Sequence, residues 1–146
     1  PHEPCSVSNA ALDNLARIGQ LKAEPRNEAE AARLLALART RLADARLPRL
    51  SLEGRFTSAY NAAHAAALAA LRWQGYRSEN RYTVFQCLPH TLGWQAVQWR
   101  VLDSAHRQRN LAEYEGFLEV DEAQVGALCQ TVGQLIADAE RLLAAG

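Results

Sequence analysis

The chain has 146 residues, of which 28 are Ala and 21 Leu, whereas Val, Ile and Thr together number only 14. Ala and Leu lose little entropy in a helix while β-branched residues favour strands, so the composition excludes a large sheet and predicts an all-α domain. Sixteen basic residues balance sixteen acidic ones, which excludes a general polybasic nucleic-acid binder and leaves only a local guanidinium cluster for any polyanion contact.

Fifteen of the sixteen bases are Arg, with Lys22 the exception. The longest apolar run, Ala65–Leu71, is far short of the ~20 residues that span a bilayer. Cys5, Cys87 and Cys129 have no paired or Cys/His spacing, so neither a disulfide framework nor a zinc site is expected, and a reducing cytoplasm fits best. The first residues, Pro1-His2-Glu3-Pro4, show neither Met nor a signal pattern, so the start is expected to be missing or processed. Residues 1–8 are expected to form a loose arm on a single domain covering 1–146.

In chain order, a short first helix is expected over Asn9–Arg17, with Leu12 and Leu15 inward and Gly19 ending it. A second follows Pro25, capped by Asn27, with Leu34, Leu35, Ala38 and Leu42 recurring at helical spacing as far as Arg46. Ser51 caps a third, which carries Phe56, Tyr60, Ala63, Ala67 and Leu71 on one face and closes at Gly75. Its Ala-rich middle permits close approach of a neighbour. A short turn is expected over Thr83–Leu88, interrupted by Pro89 and Gly93. A fourth long helix runs from Trp94 to Glu115 with Gly116 as its stop, and the last starts at Asp121 with Gln124 completing a capping box. The expected architecture is a compact up-and-down bundle of four main helices plus one or two short ones.

The fourth long helix carries the chemistry. At 100° per residue, Trp94, Val97, Val101, Ala105, Leu111 and Ala112 are expected to face the core. Asp103, Arg107, Asn110 and Tyr114 form an opposite polar stripe, with His106 and Trp99 at its edge and Arg109 at the margin. The plainest reading is a solvated face with ion pairs Asp103–Arg107 and Arg109–Glu113. Trp99 on that face points instead to a partner surface, and hence to a homodimer. His64 and Tyr60 are expected to be hydrogen-bonded, partly buried residues, Trp73 and Trp94 core, and Arg33, Arg39, Arg41 and Arg46 a solvated face.

The segment Val101-Leu102-Asp103-Ser104-Ala105-His106-Arg107-Gln108-Arg109-Asn110-Leu111-Ala112-Glu113-Tyr114-Glu115-Gly116 resembles the signature helix of HEPN domains, the nucleotide-binding or RNA-cleaving helical domains of prokaryotes and higher eukaryotes. Their motif is Arg, usually followed by Asn, with His after four intervening residues. Similar too are Arg55-Phe56-Thr57-Ser58-Ala59-Tyr60-Asn61-Ala62-Ala63-His64, Gly75-Tyr76-Arg77 and Leu88-Pro89-His90-Thr91-Leu92-Gly93. The likeness covers most of residues 10–143.

The resemblance implies a HEPN-like bundle that pairs through the motif helix, so that two Arg motifs flank a shared cleft, with no metal or other cofactor required. Arg109 would hold a phosphate, since a guanidinium fork matches phosphate oxygens. Asn110 follows it as in the motif, and Arg55, Asp103 and Arg107 are further candidate ligand-binding residues. The His position holds Tyr114, a phenol with a pKa near 10, which is a poor general base at neutral pH. His106, one turn earlier, is the alternative acid/base. In members that pair with a nucleotidyltransferase, the modified Tyr lies two residues beyond the His; Gly116 stands there, so that modification does not carry over, with Tyr114 the nearest other acceptor. Three functions follow. One is a dimeric module binding a nucleotide, RNA or a protein partner, with weak or no catalysis. The second is a metal-independent ribonuclease toxin with an antitoxin or nucleotidyltransferase partner, and the third is a structural bundle without ligand.

Overall fold

In a computed structural model, the backbone is described for residues 3–146 and side chains from Ala10 onward; Pro1, His2 and the side chain of Cys5 lie outside the described residues. The chain forms α1 (Glu3–Arg17), β1 (Lys22–Ala23), α2 (Glu28–Ala45), α3 (Leu52–Trp73), β2 (Tyr76–Arg77), α4 (Arg81–Gln86), α5 (Leu88–Thr91), α6 (Ala96–Glu115) and α7 (Glu122–Ala145). The protein is an all-α bundle, and none of its helices is long and apolar enough to cross a membrane.

Local chemistry sets the boundaries. Asn27 accepts from the Glu30 amide and Ser51 from the Gly54 amide, starting α2 and α3 at the expected places. Asp121 and Gln124 form the expected capping box of α7, and Gly116, at φ +80°, ends α6 in the left-handed region. Pro89 does not interrupt a turn as expected: it stands in the first turn of α5, where its missing N–H is no loss. α1 begins six residues before its expected start, and α6 begins two residues later than expected, after Trp94, with the Gln95 amide donating to the Gln98 side chain at 2.9 Å.

α3 is the central helix, packing against α2, α7, α4 and α6. Ala59, Ala62, Ala63, Ala66 and Ala69 on it are fully buried, so neighbouring helices approach its backbone closely. Leu35, Ala38 and Leu42 of α2 and Val125, Leu128, Val132 and Leu135 of α7 complete the core. Trp73 and Trp94 are buried as expected, Trp94 donating its indole N–H to Asp138 at 2.8 Å. Cys87 and Cys129 are buried free thiols, and burial pushes the Cys87 thiol up to about 12.

A two-residue ladder, absent from the sequence reading, pairs Lys22 with Arg77 and Ala23 with Tyr76 in antiparallel register. Arg72, only 1% exposed, pins the ladder to α2. Its Nε donates to Glu30 at 2.8 Å, and its other nitrogens donate to the carbonyls of Glu24, Pro25 and Tyr76. Arg77 pairs with the same Glu30 and with Glu24. These two guanidiniums hold the Glu30 carboxyl below the usual range.

Candidate functional site

α6 is rotated relative to the expected helical wheel. Val97 and Leu111, expected in the core, are 69% and 55% exposed, whereas Asp103, expected on the polar stripe, is only 9% exposed. Leu102, Asp103 and Ala105 are buried, and Trp99, His106, Arg109 and Ala112 are half-buried beside them. The inward stripe is thus the series 102, 105, 106 and 109, which obeys the helical repeat as well as the expected one. Two contacts favour it: Arg107 neutralises Asp103 one turn away, and the aromatic rings of α3 and α4 receive His106. Trp99 packs against the core, which removes the reason for reading it as a partner surface.

This rotation brings His106 and Arg109 onto Tyr60 at the middle of α3. The Tyr60 hydroxyl lies 2.9 Å from Nδ1 of His106, and the Asn110 amide nitrogen lies 3.1 Å from Nε2. With Asn110 donating, Nε2 is the acceptor and Nδ1 carries the proton, an assignment that follows from the hydrogen-bond network. Phe85 of α4 stands edge-on to Tyr60 and to His64, and Tyr82 lies against His106. Burial, reinforced by the charge of Arg109, holds His106 below its ordinary pKa.

Two guanidiniums converge here. That of Arg109 lies 5.2 Å from the Tyr60 ring centroid and that of Arg81 lies 5.5 Å from it, both at cation–π distance. Arg81 donates to Asn61 at 3.2 Å and has no ion-pair partner among the described residues, while Arg109 has only a 3.8 Å contact with exposed Glu113. The site is therefore locally cationic within a chain of zero net charge. Its field reaches His64, whose Nε2 is buried without a hydrogen-bond partner; burial first, then Arg81 and Arg109, lower this histidine to about 4. Contrary to the expectation of a hydrogen-bonded side chain, His64 stays unsatisfied at Nε2.

The remaining expected site residues are placed elsewhere. Tyr114 is 94% exposed, turned away from the Arg109 site. Arg55 donates to the Ala45 carbonyl at 2.8 Å and to Glu122 at 3.1 Å, joining the end of α2 to the start of α7. Arg107 is exposed and bound to Asp103. So Arg109, Asn110 and His106 come together, and Arg55, Arg107, Asp103 and Tyr114 do not join them.

Beside Arg109 lies a hollow of about 310 Å³, walled by Phe56, Tyr60, Phe117, Glu53 and Glu113. Arg81, Asn61 and Phe85 escaped sequence reasoning. Only the Asn80 cap, which puts Arg81 at the first position of α4, hinted at the first of them. Among the described residues no three His, Cys, Asp or Glu side chains are grouped to hold a metal ion. In comparisons with protein-family models, curated proteins and solved structures, nothing matches this chain.

Proposed function

We propose that the chain is a HEPN-like helical module, paired with a second copy through α6, that binds the phosphate of a nucleotide or RNA at the Arg81–Tyr60–Arg109 site with little or no catalysis. The observation that carries this reading is the convergence of two guanidiniums on one aromatic ring, Arg81 with no carboxylate partner among the described residues and Arg109 with only the exposed Glu113 at 3.8 Å. Guanidinium forks match phosphate oxygens bidentately, and the cost of holding two cations near one ring is relieved when a dianion arrives. Pairing through α6 is supported by its exposed Val97 and Leu111. The hollow beside Arg109 speaks against a purely structural bundle.

Isothermal titration with nucleotides and short RNAs tests the reading. Wild type binds, and Arg109→Ala and Arg81→Ala each weaken binding at least tenfold. Equal weak binding by wild type and Arg109→Ala would overturn it, and capture of a protein partner on this face without any nucleotide affinity would replace it.

The second reading, a metal-independent ribonuclease toxin with an antitoxin or nucleotidyltransferase partner, is favoured by His106. Its imidazole is held towards the neutral form a general base needs, with its one lone pair, on Nε2, facing the exposed Asn110 amide that gives way when the ring takes a proton. Growth arrest on expression and RNA cleavage by clean protein, both lost in His106→Ala, support this reading. Absence of both removes it.

A further inference from the structure

The hollow beside Arg109 has a composition that phosphate binding does not require. Phe117, the residue after the left-handed Gly116 cap of α6, is 56% exposed and forms one wall; the rings of Phe56 and Tyr60 form the floor. Glu53, in the first turn of α3, stands at the rim with no ion-pair partner among the described residues, while Glu113 is engaged with Arg109. A volume of about 310 Å³ is at the lower end of small-ligand pockets, the scale of one nucleoside rather than a chain.

An aromatic wall next to a phosphate-holding arginine is the arrangement in which a base stacks while its phosphate is bound. The carboxylate then selects among bases, because it accepts hydrogen bonds at two adjacent oxygens and donates none. Guanine alone presents two neighbouring donors, N1–H and N2–H₂, to such a fork. Adenine and cytosine each set one amino group beside a ring-nitrogen acceptor, and uracil sets one N–H between two carbonyls, so each brings a lone pair against the carboxylate.

We infer that this hollow is a guanine-reading subsite: Phe117 stacks on the base, Glu53 accepts from its N1–H and N2–H₂, and Arg109 carries its phosphate. This rests on the reading of Arg109 and Arg81 as phosphate holders. The test is titration of the protein with the four nucleoside 5′-monophosphates GMP, AMP, CMP and UMP, for wild type, Glu53→Gln, Phe117→Ala and Arg109→Ala. GMP binds at least about tenfold more tightly than the others. Glu53→Gln brings GMP to the level of AMP with an unchanged melting temperature, and Phe117→Ala weakens all four alike. Equal affinity of wild type for the four, or a GMP preference that survives in Glu53→Gln, overturns the guanine subsite. If in that case Arg109→Ala still abolishes binding, phosphate holding stands. If no nucleotide binds wild type, both fail together.

Discussion

The Tyr60 hydroxyl lies 2.9 Å from Nδ1 of His106, joining the middle of α3 to the middle of α6. α6 buries few apolar side chains, so this polar bridge, with Asn110 on the other imidazole nitrogen, fixes the helix rotation that brings Arg109 onto Tyr60. A hydrogen bond at a buried position contributes about 1 kcal/mol net and costs more than that when one partner is left unpaired.

Acid sensitivity follows from His64. In the unfolded chain a histidine of ordinary pKa 6.5 takes up a proton below that pH, whereas folded His64 resists protonation down to about 4. The unfolded state binds more protons between these values, so stability present above pH 6.5 is lost as pH falls towards 4, by up to about 3 kcal/mol. The depressed pKa of His106 acts in the same direction. Urea titrations at pH 7 and pH 5, above the range where Glu30 protonates, should show wild type weaker at pH 5 and His64→Gln much less affected. A wild-type stability unchanged between the two would contradict this.

Arg72, at a position 1% exposed, donates to the Glu30 carboxylate and to three carbonyls and forms a 3.6 Å ion pair with Glu24. Removing it leaves Glu30 with only Arg77 and takes a donor from three carbonyls, that of Tyr76 in a buried position. Arg72→Ala should lower unfolding stability by about 3–5 kcal/mol, as breaking buried ion pairs does. Arg72→Lys should recover only part of that, because one ammonium cannot reach all four acceptors. Chemical denaturation measures both.

Arg55 separates structure from ligand binding. Its bonds to the Ala45 carbonyl and Glu122 tie α2 to α7. Arg55→Ala should therefore cost about 1–2 kcal/mol of stability while leaving nucleotide affinity within twofold of wild type. A loss of affinity without loss of stability would return Arg55 to the ligand site.

Pairing through α6 predicts a solution mass twice the 16.1 kDa of one chain by light scattering at micromolar concentration. Leu111→Glu, a change at a 55% exposed position, should give a monomer with unchanged helix content. A monomeric wild type would refute pairing.

The bundle was legible in the sequence because its signals are local. Asn27, Ser51, Asp121 with Gln124, and Gly116 act through backbone groups within a few residues. The rotation of α6 was not legible: the stripe through Val97, Val101 and Leu111 is the more apolar one, yet the stripe through Leu102, His106 and Arg109 turns inward, with Ala105 shared by both. The choice between them is made by Tyr60 and Phe85 on other helices. Arg81 was missed for the same reason, since nothing nearby in sequence shows that α4 folds against Tyr60. Arg109, Asn110 and His106 were legible as chemistry on one helix, but their order, with His106 inward and Tyr114 outward, follows from that rotation.

Calorimetric titration of a short single-stranded RNA into wild type, Arg81→Ala and Arg109→Ala tests the central claim, that these two guanidiniums together hold a phosphate beside Tyr60. At least tenfold weaker binding by each variant, with the fold intact, is the predicted result. The same affinity in all three proteins would contradict it.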